Sequence, residues 1–174
     1  SERSQELEKE HRDTQQKFHM ANSRLNSLKN MTERYEGFGQ SIRRVMEQKE
    51  HNPGIIGVVA DIIRVEKDYE IAIETALGGS IQNIVTDNEQ TAKAMIALLK
   101  KNRYGRATFL PLTNISGRGV NQAQNILQEP GVVGFGSSLV HAEARFDRLV
   151  EYLLGRFVVV DHIDHAIALA KKYK

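Results

Sequence analysis

The chain has 174 residues, the length of one ordinary domain with an appendage. Its 24 Lys+Arg against 22 Asp+Glu leave a net charge of +2, too small to name a partner, and 26% charged with 40% hydrophobic residues exclude a disordered chain. There is no Cys, which excludes disulfides, thiol nucleophiles and thiolate metal ligands and fits a reducing compartment.

The opening residues, SERSQELEKEHRD, mix charges of both signs without an apolar stretch, so they read as no signal peptide. The initial Ser reads as the start of a piece cut from something larger. The longest apolar run, Gly54 to Ala60, stops at Asp61 and is far too short to cross a bilayer. A soluble intracellular piece with no membrane partner is expected.

Residues 1–36 contain no Gly and no Pro, and seven Lys/Arg balance seven Asp/Glu there. Steps of four and three select Leu7, His11, Thr14, Phe18, Ala21, Leu25, Leu28, Thr32 and Tyr35, the period of a coiled-coil seam. Its apolar positions are Leu7, Phe18, Leu25, Leu28 and Tyr35. A helix of this length runs about 54 Å and is marginal in water without a partner. A coiled-coil arm over 1–36 is expected, ahead of an amphipathic helix lying on its own domain.

From Gly37 onward the texture changes, for all 13 Gly and all 3 Pro fall in residues 37–174. A short helix is predicted over Gln40–Glu50, and Asn52-Pro53-Gly54 reads as a turn. Alternation at Val58, Ala60 and Ile62, with Ile63 and Val65, predicts a strand. Tyr69, Ala72, Ile73, Ala76 and Leu77 share a helical face that Gly78-Gly79 ends. A strand is predicted over Ile81–Val85. Asp87 and Gln90 resemble a capping box for a helix with Ala92, Met95, Ile96 and Leu99 on its apolar face. Ala107–Leu110 reads as a strand stopped by Pro111, and 113–131 as a polar, Gly-rich stretch with helical turns near Ala123–Leu127. Then come a strand over Val132–Phe135, a helix over Ala142–Leu154 and a strand over Phe157–Val160. Asp161 is expected to cap a last helix carrying Ile163, Ala166, Ile167 and Ala170. This alternation predicts an α/β or α+β class with a mixed sheet.

Catalysis has little to stand on. No G-x-x-x-x-G-K-[ST] loop is present to cradle phosphates, and Gly131-Val-Val-Gly134-Phe-Gly136 has neither the spacing nor the setting of a dinucleotide loop. Turn and packing roles account for those glycines. His162 and His165 beside Asp161 and Asp164 have metal-ligand types, but helix capping and dipole compensation explain them. Ser137-Ser138 near His141 lacks a marked elbow or an orienting acid. No catalytic residue, metal ligand or cofactor is expected.

One feature stands out. Between Gln90 and Gln128 there is no Asp or Glu, while Lys93, Lys100, Lys101, Arg103, Arg106 and Arg118 all fall inside. Six uncompensated cations over 39 residues make a local positive field. Cations favour helix C-termini, which accounts for Lys100 and Lys101 but not for the arginines beyond. Lys100, Lys101, Arg103 and Arg106 are therefore candidate contacts to a nucleic-acid backbone, indifferent to sequence and sensitive to salt.

Three blocks in this order, GIIGVVADIIRVEKDYEIAIETALGGSIQNIVTD, GRATFLPL and VEYLLGRFVVVD, closely resemble the hinge domain of bacterial structural maintenance of chromosomes (SMC) proteins. The resemblance covers roughly Pro53 to Tyr173. It implies a hinge-like mixed-sheet domain over 37–174 and makes 1–36 the end of the incoming coiled-coil arm. In that family the arm folds back at the hinge, ATPase heads lie at its far end, and two hinges dimerise. The hinge also continues through further strands, a glycine-rich segment and a returning helix, so 37–174 is expected to be C-terminally incomplete. The implied role is a homodimerising hinge of a chromosome condensation and segregation ATPase, cytoplasmic and nucleoid-associated. Its implied partners are a second copy, DNA, and kleisin-type subunits at heads outside this stretch. A purely mechanical hinge without DNA contact is the competing reading, and an α/β enzyme a remote one.

Overall fold

The computed structural model describes residues 2–34, 38–116 and 124–173, with side chains of the first helix described as far as His19. They fall into two compact units, Ser1–Gly39 and Gln40–Lys174. In the first, α1 (Glu2–Arg34) is one unbroken helix of 33 residues, as a stretch without Gly or Pro allows. Leu7 and Phe18 stand 61% and 68% exposed along it. Leu25 and Leu28 lie on the same helix where side chains are not described, and Tyr35 lies outside the described residues.

The second unit opens with α2 (Gln40–Glu47), which buries Ile42, Val45 and Met46 on one face. Asn52 Oδ1 then accepts the Gly54 N–H at 3.1 Å, an Asx turn that delivers the chain into β1 (Ile55–Val58). The strand expected to run on to Val65 is instead broken. One helical turn, α3 (Val59–Ile62), separates β1 from β2 (Arg64–Val65). The reason lies in the spacing, since Val59 and Ile63, four apart, both enter the core, and the Ile63 N–H donates to the Val59 carbonyl at 3.0 Å.

Next, α4 (Glu70–Leu77) buries Ile73 and Leu77 and ends at Gly78 as expected. The following strand starts later than predicted. Ile81 belongs to a 3-10 turn over Gly78–Gln82, and β3 is Ile84–Thr86, set by antiparallel pairing that puts Val58 opposite Ile84 and Ile55 opposite Thr86. The cap of α5 (Glu89–Asn102) also differs. Asn88, not Asp87, accepts the Thr91 N–H, at 3.0 Å, while the Asp87 carboxylate takes the Thr91 hydroxyl at 2.7 Å. Ala92, Met95 and Leu99 are buried as predicted, but Ile96 is 48% exposed.

β4 (Phe109–Pro111) runs parallel to β3 at the sheet edge, where a proline without an N–H costs no ladder bond. After a 3-10 turn over Gln124–Gln128 come β5 (Val132–Phe135) and β6 (Val140–His141), the latter antiparallel to β2. The helix predicted from Ala142 begins only at Asp147: a 3-10 turn at Ala144–Phe146 first drops Phe146 into the core, and α6 (Asp147–Leu154) follows. β7 (Val158–Val160) pairs antiparallel with β5. His162, not Asp161, caps α7 (Ile163–Lys172), its Nδ1 accepting the Asp164 N–H at 3.1 Å.

Parallel and antiparallel pairs together make the expected mixed sheet, β1–β3–β4, beside the ribbons β2–β6 and β5–β7. Ile73, Leu149 and Leu154 are fully buried at the centre with Val59, Val85 and Phe146 around them. Truncating any of the three to Ala would cost about 2–5 kcal/mol through lost burial and the cavity left.

Candidate nucleic-acid interface

The four predicted cations gather where α5 stops. Lys100 and Lys101 occupy its last turn, where positive charge complements the C-terminal dipole. The Arg103 N–H donates to the Lys100 carbonyl at 3.4 Å and the Tyr104 N–H to the Leu99 carbonyl at 3.0 Å, the paired bonds of a Schellman ending. That ending requires a left-handed residue, and Arg103 supplies it at φ 55° and ψ 42°. The left-handed residue turns the chain away from the helix axis before Arg106. All four side chains are exposed, and none of them pairs with a carboxylate among the described residues.

One further arginine joins from α2, Arg44. The Ser41 hydroxyl donates to the Arg106 carbonyl at 2.7 Å, which ties the start of α2 to the loop after α5. Arg44 lays its guanidinium 4.8 Å from the centre of the Tyr104 ring, and it also meets Glu47 at 3.4 Å. Arg43, the neighbouring residue, is exposed. Sequence reasoning missed Arg44, because the Arg43-Arg44 pair carries no local signal and Arg44 reaches the turn only through tertiary packing. Of the remaining cations in the acid-free stretch, Lys93 pairs with Glu89 at 3.4 Å on α5, and Arg118 lies outside the described residues.

The other candidates sit elsewhere and take structural roles. Gly131 has φ 77°, and a Cβ there would run into His165 Nδ1 and Asp161 Oδ1. Gly134 and Gly136 are buried. His141 Nε2 lies 3.6 Å from Glu66 across the β2–β6 ribbon, both groups exposed. Among the described residues, no group of three or more His, Asp or Glu is arranged to hold a metal ion. Asp161 Oδ1 lies 2.7 Å from His165 Nδ1, a bond that holds the Asp161 carboxyl below its ordinary range against the opposing effect of desolvation. Glu129 receives Lys172 and, at 3.1 Å, the Tyr173 hydroxyl. The Lys172 bond leads in pulling Glu129 down, and Glu129 in turn raises Lys172. Tyr173 is pushed up, first by desolvation and then by its bond to Glu129.

Residues 52–170 match the model of the SMC proteins flexible hinge domain. The chain belongs to this SMC hinge family. It is 42% identical over 151 residues to the chromosome partition protein Smc of Lactiplantibacillus plantarum, covering 86% of this chain and 13% of that one. It is 38% identical over 153 residues to the protein of the same description from Bacillus subtilis, covering 87% and 13%. The chain thus spans about an eighth of the length of these relatives. Among solved structures, an asymmetric dimer of the Geobacillus stearothermophilus SMC hinge domain superposes with a TM-score of 0.77 at 39% identity, over 90% of this chain and 64% of that one. The Pyrococcus furiosus SMC hinge domain gives 0.61 at 30%, over 80% and 72%. The mixed-sheet architecture expected of an SMC hinge is therefore the one present. No helix among the described residues is long and apolar enough to cross a membrane.

Proposed function

We propose that this chain is the dimerising hinge of a chromosome-partitioning SMC protein and that it touches DNA phosphates through Lys100, Lys101, Arg103 and Arg106. One observation carries the DNA reading: four exposed cations on one turn, without carboxylate partners among the described residues. Such a turn releases counterions when phosphates replace them, and phosphate contacts carry no base information. Self-association is supported by the asymmetric dimer of the G. stearothermophilus relative. The exposed Leu7 and Phe18 support a coiled-coil arm over 1–36 leading into a hinge domain over 37–174. In the whole protein, ATP hydrolysis and kleisin-type subunits belong to heads outside this stretch. The hinge itself works without catalysis or cofactor, in the cytoplasm at the nucleoid.

The second reading, a mechanical hinge without DNA contact, draws on Lys100 and Lys101 compensating the α5 dipole and on Arg44 being engaged by Tyr104 and Glu47. One titration separates the two. Wild type and a variant with Lys100, Lys101, Arg103 and Arg106 all changed to Glu are titrated with short single- and double-stranded oligonucleotides at several salt concentrations. Each phosphate contact on duplex DNA adds about 0.9 to the slope of log affinity against log salt, so the variant should lose roughly 3–4 units of slope. Exposed substitutions cost about 0.5 kcal/mol or less each, so folding survives. Equal binding by two folded proteins would leave the mechanical reading standing.

A further inference from the structure

The last helix is attached unlike any other in its unit. α2, α4, α5 and α6 each bury two or more side chains, whereas α7 buries none. No α7 residue is among those packed into or against the hydrophobic core. Its apolar stripe faces outward in part, with Ile163 and Ile167 at 68% and 49% exposure. Ala166 and Leu169 are half-buried, and the contacts that fasten the two ends of α7 are polar. At its start, the Asp161 N–H donates to the Gly131 carbonyl at 2.8 Å and the Asp161 carboxylate holds His165 at 2.7 Å. At its end, Lys172 and Tyr173 both bond Glu129. Both fastenings land on the same short stretch, Glu129 to Gly131, just before β5. Gly131 has no Cβ to push Asp161 and His165 away, so the first fastening depends on that residue being glycine.

We infer that α7 is a latch: a helix pinned at its two ends to residues 129–131 by polar contacts, which releases as a unit while the core beneath stays folded. The energetics follow from the kind of contact. Core helices are held by burial, worth about 1.5–3 kcal/mol for each large apolar side chain. Ion pairs that keep one partner in water contribute less and weaken with salt, and in the Lys172–Glu129 pair the lysine stays 62% exposed while Glu129 is 20% exposed. A segment so held opens at a small fraction of the global unfolding free energy. Release would uncover the strand side of a groove of about 480 Å³ that α7 shares with α4 and β7, walled by Ala72, Ala76, Val158, Val160 and Ala166.

Amide hydrogen exchange of the whole chain, read by mass spectrometry, tests this. Peptides within 163–172 should exchange well ahead of those covering β3 and α5. Glu129→Gln should speed α7 exchange roughly two- to fivefold, the scale of one ion pair near the surface, and Glu129→Gln with Asp161→Asn should speed it further. Wild type in concentrated salt should shift the same way, a measurement independent of any variant. Glu143→Gln, which breaks an exposed 2.9 Å contact to Arg145, should leave α7 unchanged. Exchange of α7 that matches β3, or that ignores both Glu129→Gln and salt, would overturn the latch.

Discussion

Arg103 carries two duties that a substitution can separate. Its left-handed backbone costs an ordinary residue roughly 1–2 kcal/mol that glycine does not incur. Glycine gives back about 0.4–1 kcal/mol through a freer unfolded chain. Arg103→Gly should therefore stabilise the domain by about 0.5–1 kcal/mol in urea denaturation while lowering the DNA salt slope by about 0.9. Arg103→Ala keeps the strained backbone, so it should lose the slope without gaining the stability. Arg43→Ala tests whether α2 extends the interface, and a slope lowered by about 0.9 with an unchanged denaturation midpoint is the expected result. Gly131 is the converse of Arg103. At φ 77°, with Asp161 and His165 filling the place of a Cβ, Gly131→Ala should cost at least about 1–2 kcal/mol. The same denaturation measurement reads it.

At the scale of elements, the fastening of α7 should show in pH. A carboxylate held below its ordinary range stabilises above that range and loses its contribution as pH falls through its folded value. A lysine or tyrosine held above its range stabilises below it and loses its contribution as pH rises. Glu129 and Asp161 are lowered, and Lys172 and Tyr173 are raised. Once intrinsic exchange chemistry is divided out, α7 protection should stay level across neutral pH. It should drop below about pH 4 and again above about pH 10, while β3 keeps its protection near both edges. The elements also divide by how legible they are. The start of α2, the stop after α4 and β5 rest on local period and local breakers, and they stand where the sequence puts them, although α2 ends at Glu47 rather than Glu50. α3 was hidden because Val59 and Ile63 satisfy a helical spacing inside a run that also alternates. The caps at Asn88 and His162 moved by one residue because the neighbouring aspartates were drawn to Thr91 and His165 instead. α7 shows the limit of periodicity. Ile163, Ala166 and Ile167 form a proper stripe, yet burial depends on what the rest of the chain brings opposite, which no local pattern contains. The basic turn was legible because the missing acids are a feature of composition, and its α2 contribution was not because Ser41 and Arg106 meet only in three dimensions.

For the molecule as a whole, the two units should respond separately to concentration. An isolated helix of 33 residues in water gains little beyond its own backbone bonds, and α1 leaves Leu7 and Phe18 uncovered along the predicted seam. The buried core of the second unit, among the described residues, draws on positions from Ile42 to Val159. If the arm finds its cover in another copy, helicity at 222 nm should rise with protein concentration, and sedimentation should show association over the same range. Leu7→Glu with Phe18→Glu places charge at two positions of that seam, where unpaired charge is costly to bury. The double variant should lose the concentration-dependent helicity yet keep the unfolding midpoint of the second unit. DNA binding should keep its salt slope, because that slope counts contacts at residues 100–106, but apparent affinity for long DNA should fall as the avidity of a paired molecule is lost. Association that survives the double variant would shift the contact between copies from the arm to the hinge domain. Helicity flat across concentration in the wild type would mean that α1 holds without a partner.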